Sequence, residues 1–224
     1  MRVFSTSRRL VVSIDGLPER QADRTEKMTG PPTRIAFSDD GSPTKAAEGF
    51  AKKAGVSVED LETESTDKGE YLAATVVHEG RPTAEILAEL VPTVLAAMRF
   101  PKMMRWGLGE HFFVRPVHGL VALLDDEVVP MRIFGVAAGR RTVGHRVHAP
   151  EAFDVTAAAD LEPALAERGV LVDPDERRRV LEERSAELAA EAGCAVHPDP
   201  GLVAEHVELV ECPGLLRGDL DPEY

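Results

Sequence analysis

Three clusters hold most of the side chains that could do chemistry. The first is Phe100-Pro101-Lys102-Met103-Met104-Arg105-Trp106-Gly107, which contains the single tryptophan of the chain. An arginine beside a tryptophan can stack on a base or clamp a phosphate. The same residues can instead form a corner, with Trp106 in the core and the stems of Lys102 and Arg105 laid along apolar surface. The second cluster, Phe113-Val114-Arg115-Pro116-Val117-His118, puts Arg115 and Val117 on one face of an extended chain and Val114, Pro116 and His118 on the other. Arg115 then meets either an anion or a buried carboxylate. The third runs from Gly139 through Arg140, Arg141, Gly144, His145 and Arg146 to His148. On a strand, His145 and His148 would face opposite ways, which argues against a metal site. The arginines suit an anion or RNA surface, or structural partners. A water molecule activated by His145 or His148 is the one hydrolytic chemistry on offer.

The remaining motifs are missing. There is no phosphate-cradling GxxxxGK[ST] loop, no HExxH, no GxSxG, no CxxC and no His-Asp dipeptide. Cys194 and Cys212 are the two cysteines, too few for a disulfide scaffold or a four-cysteine zinc site. The acidic pairs Asp39-Asp40 and Asp125-Asp126 read as turn residues. Over 224 residues the formal charge is −13, which argues against indiscriminate nucleic-acid binding. The charge is uneven: residues 93–148 carry eight Lys and Arg against four Asp and Glu, and four of the seven histidines. A phosphate contact is expected there. No apolar run approaches the roughly 20 residues of a membrane span, and no secretory signal is read at the start, so a cytoplasmic location is expected.

The elements that must position these clusters mix strands and helices without a strict βαβ alternation. The expected class is α+β, a two-layer arrangement of mixed sheet and helices followed by a helix-rich acidic C-terminal part. Arg8–Ile14 reads as a strand, and residues 15–34 as a polar connection ending in Gly30-Pro31-Pro32. Ser42 as cap and Pro43 as first residue open a helix with Ala46, Ala47, Phe50 and Ala51 on one face, stopped by Gly55. Residues 61–65 and 71–77 read as a hairpin around Lys68-Gly69. A helix from Pro82-Thr83 has a wide apolar face that predicts deep burial, and Pro92 predicts a kink or break. Residues 113–124 and 128–136 read as a second hairpin, 142–148 as a further strand, and 170–172 as a short strand. Helices are expected over 160–168, 173–192 and 202–210.

In this order the three clusters resemble the beta chain of the bacterial two-chain glycine–tRNA ligase. That family runs FPKxMRWG, FVRPxxW and SGxxTxGHRF; this chain has FPKMMRWG, FVRPVHG and AGRRTVGHRV. The likeness continues in Ser7-Arg8-Arg9-Leu10, Gly30-Pro31-Pro32, Gly41-Ser42-Pro43-Thr44-Lys45-Ala46-Ala47, Lys68-Gly69-Glu70-Tyr71, Val121-Ala122-Leu123-Leu124, Leu209-Val210-Glu211 and Asp221-Pro222-Glu223-Tyr224. The departures are Gly119 for the family's tryptophan, Ala138 for its serine and Val147 for its phenylalanine. The family chain is considerably longer. Its opening LLxEIGTEELP stretch, its His-Asp-type domain and its anticodon-binding domain have no counterpart here.

The resemblance implies a division into 1–34, a remnant of the family's first domain; 35–150, a central α+β module; and 151–224, the helix-rich acidic part. It implies part of the beta subunit of an aminoacyl-tRNA synthetase ligase acting in protein biosynthesis, contributing tRNA binding and subunit assembly. The implied partners are the alpha chain and the tRNA for glycine, with no DNA and no membrane. A homodimer through residues 1–14 would cover a strand edge left open, or that segment would be mobile. ATP and magnesium belong to the alpha chain, so this chain should hold no cofactor and no metal, should have no catalytic residue and should be inactive alone. Its candidate RNA-binding residues are Lys102, Arg105, Arg115, Arg140, Arg141, His145 and Arg146. Trp106, Gly107, Pro116, Gly139 and Gly144 are the structural motif positions. Two other readings stay open: a free-standing aminoacyl-tRNA hydrolase, by analogy with a synthetase editing module, and a folded relative with no RNA role.

Overall fold

The computed structural model describes residues 1–38, 41–67, 69–107 and 109–218. Asp39-Asp40, Lys68 of the expected hairpin turn and the Asp221-Pro222-Glu223-Tyr224 stretch lie outside these residues. The chain divides into two compact units, Pro18–Thr83 and a second formed by Met1–Leu17 with Ala84–Tyr224. The class is α+β, and the paired strands described form six small antiparallel sheets.

The Pro18–Thr83 unit is one helix layer on one sheet. Strands β3 (Arg24–Pro32), β4 (Glu62–Thr66) and β5 (Gly69–His78) pair in the order β3-β5-β4. After β3 come a single helical turn, α1 (Thr33–Ala36), and α2 (Lys45–Ala54). Burial on α2 falls on Ala47, Phe50, Ala51 and Ala54, while Ala46 is exposed. Ala47, Phe50 and Ala54 join Ala36 and, from β5, Leu72 and Ala74 in one apolar core. The cap of α2 is Thr44 rather than Ser42: its side chain accepts from the Ala46 amide at 3.3 Å. Thr44 also donates to the Ile35 carbonyl at 2.8 Å, which fixes it at the helix start. Gly55 ends α2 with φ +72°, a conformation that favours glycine.

The expected connection over residues 15–34 is largely strand. Arg24–Pro32 is polar because it is an edge strand, exposed along most of its length. Gly30-Pro31-Pro32 marks a register irregularity between Thr29 and Pro32, and an edge strand tolerates the missing proline donors. A Cβ on Gly30 would lie 2.6 Å from the Phe50 ring, so the glycine lets the core aromatic reach the sheet.

In the other unit, β1 (Arg2–Ser5) and β2 (Leu10–Ser13) form a hairpin, so the strand expected over 8–14 pairs with residues of its own chain. Helix α3 (Thr83–Ala97) passes through Pro92 without breaking, because proline removes only one hydrogen bond; Thr93 Oγ1 donates to the Glu89 carbonyl at 2.9 Å. On α3 only Thr83, the last residue of the Pro18–Thr83 unit, is fully buried; Ile86, Leu87 and Val91 are half-buried and Leu90 and Val94 are 51% and 52% exposed, against the deep burial that its apolar face predicts.

The long hairpin expected over 113–136 is instead a series of two-residue strands. β6 (Met104–Arg105) pairs with β7 (Phe112–Phe113), β8 (Leu123–Leu124) with β9 (Glu127–Val128), and β10 (Arg132–Ile133) with β11 (Val136–Ala137). Positive φ at Asp125 (+52°) and Phe134 (+50°) makes the tight turns that break the run. Strand β12 (Arg141–Val143) pairs with β13 (Ala152–Asp154), so the expected strand 142–148 leaves the sheet at Gly144.

Helices α4 (Leu161–Ala166), α5 (Pro174–Glu191) and α6 (Pro200–Leu209) follow. Asp173 caps α5 by accepting from the Asp175 amide at 2.9 Å, and Pro174 is its first residue. Residues 170–172 are not a strand. Val170 and Val172 are buried with Phe4 and Leu165, and the carbonyls of Leu171 and Val172 accept from Arg177 at 2.8 and 2.9 Å. Arg177 is fully buried and also donates to Val207 O and Ser5 O, each at 2.8 Å. One guanidinium therefore joins the end of β1, the 171–172 segment and α6 to α5.

Two glycines of the Pro18–Thr83 unit should respond oppositely to alanine. A Cβ on Gly80 would fall 1.6 Å from the Gln21 carbonyl oxygen, whereas one on Gly49, within α2, meets nothing within 4 Å. Gly80→Ala should destabilise by about 1–3 kcal/mol or more. Gly49→Ala should stabilise by roughly 0.5–1 kcal/mol through helix propensity. Urea unfolding of the two variants checks this; a Gly80→Ala protein as stable as the parent would contradict the close crossing of residues 20–23 and 80–81.

Candidate functional site

The site is built on the β1–β2 turn. Thr6 Oγ1 accepts from the amides of Arg8 and Arg9 at 3.1 and 2.9 Å and donates to Glu211 Oε1 at 2.6 Å. This tight turn sends two neighbouring arginines different ways. Arg9 goes inward, pairing with Glu211 Oε1 and donating to the carbonyls of Val143 and Gly144 at 2.8 and 2.9 Å. Arg8 stays exposed. Glu211 is buried just beyond α6, and its carbonyl accepts from the Leu171 amide at 2.9 Å. Its Oε1 serves Thr6 and Arg9, while its buried Oε2 has no hydrogen-bond partner.

A second turn faces the first. His145 donates its amide to Arg168 O at 2.9 Å, and its Nδ1 accepts from the amides of Val147 and His148 at 3.4 and 3.2 Å. The turn stacks the two imidazoles, with centroids 4.5 Å apart, in place of the opposite-facing arrangement expected on a strand. Gly144 is buried where a Cβ would lie 2.6 Å from Ala149 O and 2.7 Å from Arg168 Cβ, so the turn closes only on glycine. Burial, and then the neighbouring His148, hold the His145 imidazole below its ordinary value, with Arg9 and Arg146 acting in the same direction and Glu211 against them.

Between these turns lies a cleft of about 350 Å³ whose lining includes Arg8, Arg115, His145, Arg146, Glu211 and Cys212. The guanidinium groups of Arg8, Arg115 and Arg146 are exposed and have no ion pair or hydrogen bond among the described residues. Three candidates from the sequence, Arg115, His145 and Arg146, are thus brought together. The others are elsewhere. Arg140 donates to Thr156 O at 3.0 Å and Asp126 O at 2.8 Å, a structural use. Arg141 is exposed on β12 opposite Asp154.

Lys102 and Arg105 are exposed at β6, beside an aromatic cluster in which Trp106 meets Phe134 edge-on at 6.0 Å and Phe134 meets Phe113 at 5.1 Å. Gly107 has φ +58°, and Pro116 is half-buried. Gly139 exchanges hydrogen bonds with Leu120 and Ala122, donating to the first at 3.0 Å and accepting from the second at 3.2 Å. Sequence reasoning did not assign Arg8, Arg9, Glu211 or Arg177. The signal for the first three was their place in the Ser7–Leu10 and Leu209–Glu211 motifs. Arg177, in a run of three arginines on a charged helix, carried none.

The depressed His145 value sets a pH dependence. Unfolded, the imidazole titrates near 6.5. Below that pH the unfolded chain binds more protons than the folded one, so His145's contribution is complete above about 6.5 and is lost as pH falls toward its lower folded value. The parent should therefore lose more unfolding free energy between pH 7.5 and 5.5 than His145→Asn does. Equal losses in urea titrations of the two proteins would remove His145 from this role.

The family described as glycyl-tRNA synthetase beta subunit matches residues 1–224. Among curated relatives, the glycine–tRNA ligase beta subunit of Syntrophotalea carbinolica is 42% identical over 224 residues, covering all of this chain and 33% of the relative. That of Oleidesulfovibrio alaskensis is 42% identical over 225 residues, covering 100% and 32%. That of Moorella thermoacetica is 42% identical over 221 residues, covering 99% and 32%. The chain spans about a third of the length of these curated relatives. With its motifs matched from end to end, the chain belongs to the glycyl-tRNA synthetase beta subunit family.

Proposed function

We propose that this chain serves the tRNA-binding and assembly work of a glycine–tRNA ligase beta subunit in the cytoplasm, and that its RNA contact is centred on the arginine cleft. The observation that carries this reading is the convergence of three unpaired guanidinium groups on one concave surface of an acidic protein. Guanidinium forks match phosphate oxygens, and phosphate contacts dominate affinity for nucleic acid. Membership of the glycyl-tRNA synthetase beta subunit family supports a tRNA for glycine as that RNA. Glycine activation with ATP and magnesium belongs, on this reading, to a separate alpha chain, and this chain alone does not catalyse it.

Assembly draws on the β1–β2 hairpin, where Val3, Leu10 and Val12 remain 56%, 48% and 55% exposed. Contact with the alpha chain and the homodimer contact through residues 1–14 both use that surface. Among the described residues no helix is long and apolar enough to cross a membrane.

The test compares tRNA binding at several salt concentrations for the parent and two triple variants. Replacing Arg8, Arg115 and Arg146 by alanine should weaken binding and lower the salt slope by roughly 0.7–0.9 for each lost phosphate contact. Replacing Lys102, Arg105 and Arg141, which lie outside the cleft, should do less. An unchanged affinity and slope in the first variant would overturn the assignment of the cleft.

A further inference from the structure

We propose that the cleft takes a single unpaired nucleotide, with its phosphate among Arg8, Arg115 and Arg146 and its base offering an amino group to the wall that carries Glu211. This rests on the RNA-binding reading above and specifies what part of an RNA the cleft accepts.

Shape and charge each restrict the ligand. At about 350 Å³ the cleft is at the lower end of the roughly 300–1,000 Å³ range of small-molecule sites. A concavity of that size admits one nucleotide and not the convex phosphate ridge of a duplex. Three guanidinium groups lining one space repel one another unless an anion sits among them. The inward-pointing arginines nearby are satisfied: half-buried Arg9 by Glu211 and two carbonyls, and buried Arg177 by four carbonyls. Among the described residues the guanidinium groups of Arg105, Arg141 and Arg178 also have no ion pair or hydrogen bond, so what sets Arg8, Arg115 and Arg146 apart is that all three line one cleft.

Glu211 adds a second requirement. It is 4% exposed, it belongs to the cleft wall, and its Oε2 lacks a donor. A bare buried acceptor is costly, and a donor delivered through this wall would complete it. A plain phosphate could donate only from its own P–OH, which would bring its remaining charged oxygens against the carboxylate. Adenine and cytosine carry an exocyclic amino group beside a phosphate in the same ligand. Uracil has no exocyclic amino group, and its N3–H is flanked by two carbonyl oxygens that the carboxylate repels. Leu209 and Val210, also in the lining, give a base an apolar edge to lie on.

The experiment is an amide NMR titration of the full chain, at fixed ionic strength, with adenosine 5′-monophosphate, uridine 5′-monophosphate and inorganic phosphate. The adenine nucleotide should shift the amides of Arg8, Arg115, His145, Arg146 and Glu211 and bind at least fivefold more tightly than either other probe. Arg115→Ala, an exposed position, should weaken it at least fivefold without unfolding the chain. Inorganic phosphate binding as tightly as the nucleotide would reduce the cleft to a plain anion site and overturn the inference, as would shifts located elsewhere. Uridine nucleotide binding equally well would overturn the role of Glu211. If the Arg8, Arg115 and Arg146 replacement abolishes tRNA binding while the nucleotide titration is silent, the inference fails and the RNA-binding reading stands. Localised nucleotide binding with tRNA affinity untouched by that replacement would support the inference and sink the reading.

Discussion

The unit that carries the cleft depends on the buried guanidinium of Arg177. Its donors serve the carbonyls of Ser5, Leu171, Val172 and Val207, which come from a strand end, an extended segment and a helix. None of these segments pairs with the others in a common sheet, so without the arginine the four carbonyls would have to find other donors in an apolar setting. Burial pushes the Arg177 pKa down from its ordinary value, against Glu208, Asp173 and Glu211, which favour the charged form. A cation in this position is tolerated because its donors are committed to carbonyls, and removing it exposes the cost on both sides.

The site follows from that constraint. With Ser5 fixed, the β1–β2 turn is placed so that Arg9 reaches Glu211 and the carbonyls of Val143 and Gly144. Two turns distant in sequence are thereby joined, and what they leave between them is the cleft. Arginine thus has two uses here, divided by burial. Arg9, Arg140 and Arg177 hold backbone together; Arg8, Arg115 and Arg146 line open space. Arg8 and Arg9 are adjacent in sequence, and only the geometry of the Thr6 turn separates their uses.

Much of this was legible from residues. The α2 stop at Gly55, the Asp173-Pro174 start of α5 and the helical spacing of α6 depend on local backbone chemistry, which spacing reports directly. The failures share a cause. Arg24–Thr29 reads as a connection because an edge strand needs few apolar residues, and its pairing with β5 is a long-range fact. The apolar face of α3 predicts burial, but amphipathicity says only that a face can be covered. Residues 113–136 read as a hairpin because an apolar run does not reveal where a non-glycine residue will take positive φ. Among the candidate cations, type and spacing could not distinguish Arg140 from Arg146. The difference lies in which carbonyls stand nearby, and that is set by the fold.

The most direct measurement is hydrogen exchange on Arg177→Met, a replacement of similar length that keeps packing and removes every donor. If the guanidinium assembles the cleft, amides of β1 and β2, the Leu171 amide and the residues around Glu211 should lose protection together, while those of β5 in the Pro18–Thr83 unit keep theirs. Unchanged protection across residues 2–13 and 207–211 would contradict the account, because the hairpin and the cleft would then be held without the interaction on which both are said to depend.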